Sequence, residues 1–320
     1  MGRYYDITIT PATGGSPSRI FSSYPNGQYD PGALNIEFDM PVLPNGTPSG
    51  GQSITIEGIP LQDLNQANQY AGMNLVMKGG MMPGFPLVNP KQAGVLITGI
   101  IFQSFGNWTG TEMTLDFVIL PSTFTNDNPG NFVLNWKQGD ELSVALKQTL
   151  SVAYPSMPIN IHIKNGLVNA YDYTHFCPTL DQLGQVVGDF TEDTFKNRVN
   201  IAIQAGQITV YDSSYKPGPI QLNFNDFVGQ PTWINPQIIQ VKTVMRADLQ
   251  IGSIVTMPQG LQNAPGIITA TSSSLPSSIK YQSSFTGTFT VNEIRHIGNF
   301  RSSDSGSWCS IFNMSANTNG

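Results

Sequence analysis

The chain has 320 residues, a formal net charge of −6, 10% aromatic residues and only 11% charged residues. That length allows two or three domains with a sizeable core, and the aromatic content with so small a net charge excludes a disordered chain. An acidic balance without a Lys/Arg run excludes binding to nucleic acid through a basic face, and no apolar run reaches the roughly 18 residues of a membrane helix.

The charged fraction is well below the roughly 25% of ordinary soluble domains. The centre of a protein–protein interface is depleted in charge in the same way, so much of this surface is expected to be covered by neighbours. The alternative is a β-rich protein with many polar turns. Cys177 and Cys309 are too few for a disulfide framework and have no CxxC or His spacing for zinc. Both are read as reduced structural thiols of a chain made in a cytoplasm. The N-terminus, Met1-Gly-Arg-Tyr-Tyr-Asp, leads straight into a strand without a signal-peptide core.

Residues 1–130 read as β throughout. Tyr5, Ile7 and Ile9 alternate with polar residues, as do Leu34 to Met40, Ile54 to Ile56, and Met113 to Ile119. Turn chemistry bounds these runs at Thr13–Pro17, Pro25–Gly27, Pro44–Gly46 and Gly106–Gly110. Short strands at such intervals predict a barrel or sandwich. The run from Val95 to Phe102 is apolar on both faces: either a central strand buried on both sides, or one covered by another subunit. Met81-Met82-Pro-Gly-Phe-Pro86 reads as a buried loop or as a subunit-contact loop.

From Gly130 the character changes. Gly139–Ala153 has the spacing of a helix, with Leu142, Ala145, Leu146, Thr149, Leu150 and Ala153 on one face, Asp140 as N-cap and Glu141 in the first turn. Tyr154-Pro155 ends it. Ile159, Ile161 and Ile163 predict a strand. Thr179 with Gln182 forms a capping box for a second helix that buries Leu180, Leu183 and Val187. Val199–Ile203 and Gln207–Tyr211 predict a hairpin around Ala205-Gly206. Residues 131–215 therefore form a small α+β module, closed by Pro217-Gly-Pro219.

Residues 216–320 return to β, with Val241–Met245, Leu249–Pro258 and a Ser-rich stretch from Thr271 to Ser278. A final hairpin starts at Phe285. Phe289 and Val291 alternate with Thr288, Thr290 and Asn292, but Ile294 and His296 continue on even numbers. That slip predicts a β-bulge after Val291. Residues 298–307 form a polar tip, and the return strand starts at Trp308.

This hairpin resembles the C-terminal signature of the tail and baseplate hub proteins of tailed phages. There a Gly, an aromatic residue and a Val lead into a strand carrying a His, followed by a polar loop and a Trp strand. Gly287, Phe289, Val291, His296 and Trp308 stand at those places. Three further marks extend the resemblance over most of the chain: Ile7–Pro11, the helix after Gly139-Asp140, and Leu249-Gln-Ile-Gly252, where Ser253 replaces the family's Asp. The resemblance implies a mainly β fold of two tail-tube-like barrels plus an α+β domain, at 1–130, 216–320 and 131–215 respectively.

It also implies a virion structural protein, assembled in the host cytoplasm and sited in the tail tip or baseplate. A homotrimer would present six similar barrels. Its partners would be the hexameric tail tube or a tube-terminating protein, the three-fold central spike and other baseplate proteins. DNA would pass through its lumen without specific binding. The acidic balance fits a channel that does not hold DNA. The alternative is a glycan-binding, adhesin-like β protein with a groove lined by Trp108, Trp136 or Trp233.

No catalytic, cofactor or metal residues are expected. His175 and Cys177 suggest a Cys/His nucleophile, but they lie in an expected loop before Pro178 without a third orienting group. His162 alternates against Ile161 and Ile163, on the exposed side. His296 falls on the inward phase as a hydrogen-bonded structural histidine. Glu37/Asp39, Glu57, Glu112/Asp116, Asp189 and Glu192/Asp193 occupy outward strand faces or helix-end turns rather than a paired site. Gly14-Gly15 and Gly79-Gly80 lack the pattern of a phosphate loop.

Overall fold

The computed structural model describes residues 2–44, 52–82, 89–121, 129–258 and 287–316. The Asn45-Gly46 turn, the apolar tip beyond Met82, the Ser-rich stretch and the hairpin start at Phe285 lie outside the described residues. The chain is mainly β.

The N-terminal region supplies β1 (Arg3–Thr10), β2 (Arg19–Ser22), β3 (Asn35–Val42), β4 (Gln52–Glu57), β5 (Asn74–Met81), β6 (Gly94–Thr109) and β7 (Glu112–Leu120). A one-turn helix, α1 (Leu61–Asn65), and a 3-10 turn at Ala67–Tyr70 lie between β4 and β5. The strands pair in the order β3-β4-β7-β6-β5-β1-β2. The alternation expected from sequence is present: Tyr5, Ile7, Ile9, Ile36, Phe38, Met40, Ile54, Ile56, Leu115, Phe117 and Ile119 are all buried in one core. Burying each such side chain contributes about 1.5–3 kcal/mol before chain entropy is subtracted. A single core touched by every strand means that the sheet curls round on itself.

Strand β6 departs from expectation in two places. The turn expected at Gly106–Gly110 is strand as far as Thr109, and the chain reverses at Gly110-Thr111. Gly106 is there for close packing rather than for a turn. A methyl group on it would meet the Leu64 carbonyl oxygen at 2.7 Å and the Leu64 side chain at 3.0 Å. Gly106→Ala should therefore lower stability by about 1–3 kcal/mol in urea unfolding, because α1 must be displaced. Gly218→Ala, with open space around it, should change stability by less than about 0.5 kcal/mol. Equal effects would contradict the packing role. The second departure explains the two apolar faces of Val95–Phe102. Their inner side lies in the core, and the Ala205-Gly206 turn of the α+β region seats on Thr98 from outside. The same chain thus covers this face at Thr98, while Phe102 stays exposed.

The middle region contains β8 (Phe132–Trp136), α2 (Leu142–Ala153), β9 (Ile159–His162), β10 (Tyr173–Cys177), α3 (Leu180–Phe195), β11 (Asn200–Gln204) and β12 (Gln207–Tyr211). β8 pairs with β10, and β11-β12-β9 forms a second small sheet in which β12 and β9 run parallel. Helix α2 buries the expected face, but Glu141 rather than Asp140 is its N-cap, and no side chain caps it. The Glu141 carboxylate instead accepts from Gly166 N–H. Thr179 caps α3, its hydroxyl accepting from Gln182 N–H at 3.2 Å. Ala205 and Gly206 both have positive φ, the backbone of a tight hairpin turn.

The C-terminal region adds β13 (Ile220–Gln221), β14 (Thr232–Asn235), β15 (Ile238–Val244), β16 (Ile254–Thr256), β17 (Thr288–Asn299) and β18 (Trp308–Ala316). Their order is β14-β15-β18-β17, with β16 also on β17 and β13 on β16. They enclose another core, including Leu222, Val241, Leu249, Ile251, Val255, Phe289, Val291 and Phe312. The Gln250–Ser253 turn needs Gly252 at φ 84°, and the Ser253 hydroxyl accepts from Gln250 N–H at 3.0 Å. Ser253 thus performs the turn-closing task that an Asp would.

Candidate functional site at the seam of the two β regions

β17 has β18 on one side and β3 on the other, so the two β regions form one continuous antiparallel sheet. The seam runs from Ile294 opposite Val42 to Asn299 opposite Glu37. The register shift between Val291 and Glu293 is the bulge expected from the phase slip. It turns Ile294, His296 and Gly298 inward and leaves Glu293, Arg295 and Ile297 outward. Gly298 has no side chain because the Phe38 ring fills that space.

Outward side chains stitch the seam. Arg295 grips the Asp39 carboxylate with two nitrogens, Nε at 2.7 Å, and Asp39 holds the guanidinium pKa above its ordinary value. The Asn299 amide donates to Glu37, and Asn313 donates to Glu293 at 2.8 Å. Both partners of the Arg295–Asp39 pair are about half exposed, so it contributes under about 1 kcal/mol and fixes register more than stability. Across β6, β7, β4, β3 and β17 every charged residue lies on this outward face. Glu37, Asp39, Glu57, Glu112, Asp116 and Glu293 stand against Arg295 alone.

The polar tip is anchored within the chain. Phe300 is buried against Tyr5 and Trp308, and its N–H donates to the Ile36 carbonyl at 2.9 Å. The Arg3 guanidinium donates to the carbonyls of Asn299, Phe300 and Asp304, and Arg301 donates to those of Pro31 and Ala33. The base of the tip therefore packs on the N-terminal region of the same chain. Gly298 belongs to β17 rather than to the tip.

His296 is 3% exposed, with Nδ1 2.8 Å from Ser310 Oγ, and burial pushes its pKa down to about 4. The same Ser310 hydroxyl accepts from Arg246 N–H at 3.1 Å. His175 lies on strand β10, not in a loop. It is exposed and stacks on Tyr173, while burial raises the Cys177 thiol pKa. A raised pKa disfavours the thiolate that a nucleophile needs. His162 is exposed and stacks on Tyr215.

The carboxylates considered for chemistry are mostly engaged. Glu57 accepts from Asn35, Asp116 from Thr55 and Asn107, and Asp189 and Glu192 from Arg198. Trp136 is 1% exposed and donates to the Asp140 carbonyl, so it cannot line an open groove. Trp108 and Trp233 lie on β6 and β14, with six strands between them in the sheet. Among the described residues no His/Cys/Asp/Glu group is arranged to hold a metal, and no helix is long and apolar enough to cross a membrane. Sequence alone missed the seam, Arg3 and Arg246; only the inward phase of His296 hinted at it.

No family model and no curated protein matches this chain. Solved structures do. A component of the E. coli type VI secretion system, described as structurally similar to T4 bacteriophage tail proteins, matches with TM-score 0.52 and 10% identity over 89% of this chain and 74% of that one. A tail protein from Neisseria meningitidis MC58 matches at 0.51 and 9% identity, over 99% and 97%. The 43 kDa tail protein of prophage MuSo2 from Shewanella oneidensis matches at 0.50 and 9%, over 99% and 98%. The chain shares the fold of these tail and secretion-system proteins.

Proposed function

We propose that this chain is the hub of a phage tail tip or baseplate, a non-enzymatic homotrimer with a central channel. One observation carries the reading: a single sheet spans both β regions, and the outward face of its β6-β7-β4-β3-β17 stretch holds six carboxylates against one cation. Turned toward a lumen, that face repels DNA phosphates and lets the duplex slide. The seam also offers a template for closure. The internal β3–β17 junction joins unlike β units, and cyclic assembly repeats such heterologous junctions between chains. Pairing there covers the free edges of β2 and β14, the two ends of the sheet.

In this reading residues 1–130 and 216–320 are the two ring-forming β units, and 131–215 is an α+β unit attached to them. Three chains present six β units to a hexameric tube or tube-terminating protein on one side. A three-fold spike sits on the other, with further baseplate proteins around the rim. The protein resides in the virion tail after assembly in the host cytoplasm. Native mass spectrometry of the purified chain tests this directly. A trimer is expected; a monomer at micromolar concentration would leave the adhesin reading in its place.

A further inference from the structure

The two β regions complete one another's cores. Met245, Phe300 and Trp308 come from the C-terminal region and are buried in the N-terminal core, while Val42 of the N-terminal region is buried in the C-terminal one. The Trp308 indole N–H donates to the Gly80 carbonyl, and Arg3 and Arg301 donate to carbonyls across the same boundary. Six backbone-paired positions join β3 to β17. The buried Gln92 amide donates to Asp226 at 2.9 Å. Neither region can open without stripping side chains from the core of the other.

The α+β region is built differently. Its core is made of residues between Phe132 and Val210, so among the described residues neither β region contributes a side chain to it. Helix α2 supplies Leu142, Leu146 and Leu150, and helix α3 supplies Leu183 and Val187. Its attachment to the β regions runs through the β11–β12 hairpin. Ala202 enters the C-terminal core, and Gly206 seats on Thr98. The Gln204 side chain accepts from Ile251 N–H at 2.7 Å and donates to the Ile251 carbonyl at 3.3 Å. Away from that hairpin, a groove of about 390 Å³ lies between Tyr154, Pro155 and Met157 on one side and Val76 and Ile100 on the other. Residues that share burial open together, and a segment with a core of its own can open at its own free energy.

We propose that the chain opens as two cooperative units rather than three: one β body made from both ends of the chain, and the α+β region as an insert with its own stability. Strands β1 to β7 and β13 to β18 form the body. Its N-terminal strands complete their core only once Trp308 has been made, near the end of synthesis. The proposal concerns the chain itself and holds or fails independently of the tail reading.

The test is native-state hydrogen exchange of the full chain, followed by mass spectrometry at low urea concentrations. In the unmodified protein, amides of β1, β5, β17 and β18 should converge on one opening free energy and one urea slope, and those of α2 and α3 on another. Trp308→Ala should speed exchange in β1 and β5 as much as in β17 and β18, by at least about 100-fold, and leave α2 and α3 within about threefold. Leu146→Ala should do the reverse, speeding α2 and α3 by at least about 30-fold and leaving β1, β5 and β17 unchanged. Acceleration confined to β17 and β18 in Trp308→Ala would mean three units, and equal acceleration in α2 and α3 would mean one. Either result overturns the proposal. Should Trp308→Ala not fold, Leu146→Ala and the urea series decide: a single common slope, or separate slopes for β1 and β17, would count against it.

Discussion

Acidification from pH 6.5 to 4 will destabilise the protein by roughly 3 kcal/mol through His296 alone, and His296→Gln will remove that part of the loss. The ring is buried, and desolvation lowers its pKa from 6.5 to about 4. Between those values the unfolded chain takes up a proton that the folded chain refuses. The unfolded state binds more protons there, so stability rises with pH across the window. The contribution is complete above pH 6.5, falls as the pH drops, and levels off below 4. Carboxylates titrate nearby in pH, so the readout is the difference between the two proteins. Glutamine keeps similar bulk and can still bond Ser310 Oγ, 2.8 Å from His296 Nδ1. As the pH falls from 7.5 to 4 the difference between the two urea midpoints should shift in favour of the glutamine variant; parallel curves would show that His296 takes up its proton in the fold as readily as in the unfolded chain.

Trp308→Ala should cost more at neutral pH, about 3–5 kcal/mol for the lost ring and its cavity. Trp308 belongs to the C-terminal strand yet is buried in the N-terminal core. It packs on Phe38 at 5.3 Å and Phe300 at 5.9 Å, and Arg3 lies 5.9 Å from its centroid. Its indole N–H donates to the Gly80 carbonyl at 2.8 Å. Truncation orphans that carbonyl at about another 1–3 kcal/mol. Trp308→Phe, which restores most of the volume, should recover more than half of the loss. A cost under about 1 kcal/mol for the alanine variant, in urea unfolding with an unchanged m-value, would mean that the N-terminal core closes without this plug.

Trp308 and His296 also show how far sequence carried. Period-2 alternation placed Ile36, Ile54 and Phe117 in a core because a half-buried strand has no other way to satisfy its apolar side. The phase slip after Val291 located the bulge for the same reason. Helix α2 was legible from spacing, though its cap lay one residue off, because Glu141 bonds a distant loop instead of its own first turn. Gly106 misled: its type signals a turn, but contact with Leu64 is what demands it.

The seam was not legible, because pairing of β3 with β17 spans more than 250 residues and leaves no local pattern. The same holds for Arg3 and Arg246, whose burial depends on carbonyls and carboxylates contributed from far along the chain. The tryptophans considered for a groove shared only their residue type. Trp136 is a core residue of the α+β region, and its neighbours Phe190 and Phe195 pack around it.

The central claim concerns which way the continuous sheet faces in the assembly. A reconstruction of the purified chain by electron microscopy tests it most directly. A closed three-chain ring is predicted, with Glu37, Asp39, Glu57 and Asp116 lining the pore. A ring that turns this face outward, or that lines its pore with basic side chains, would contradict the account.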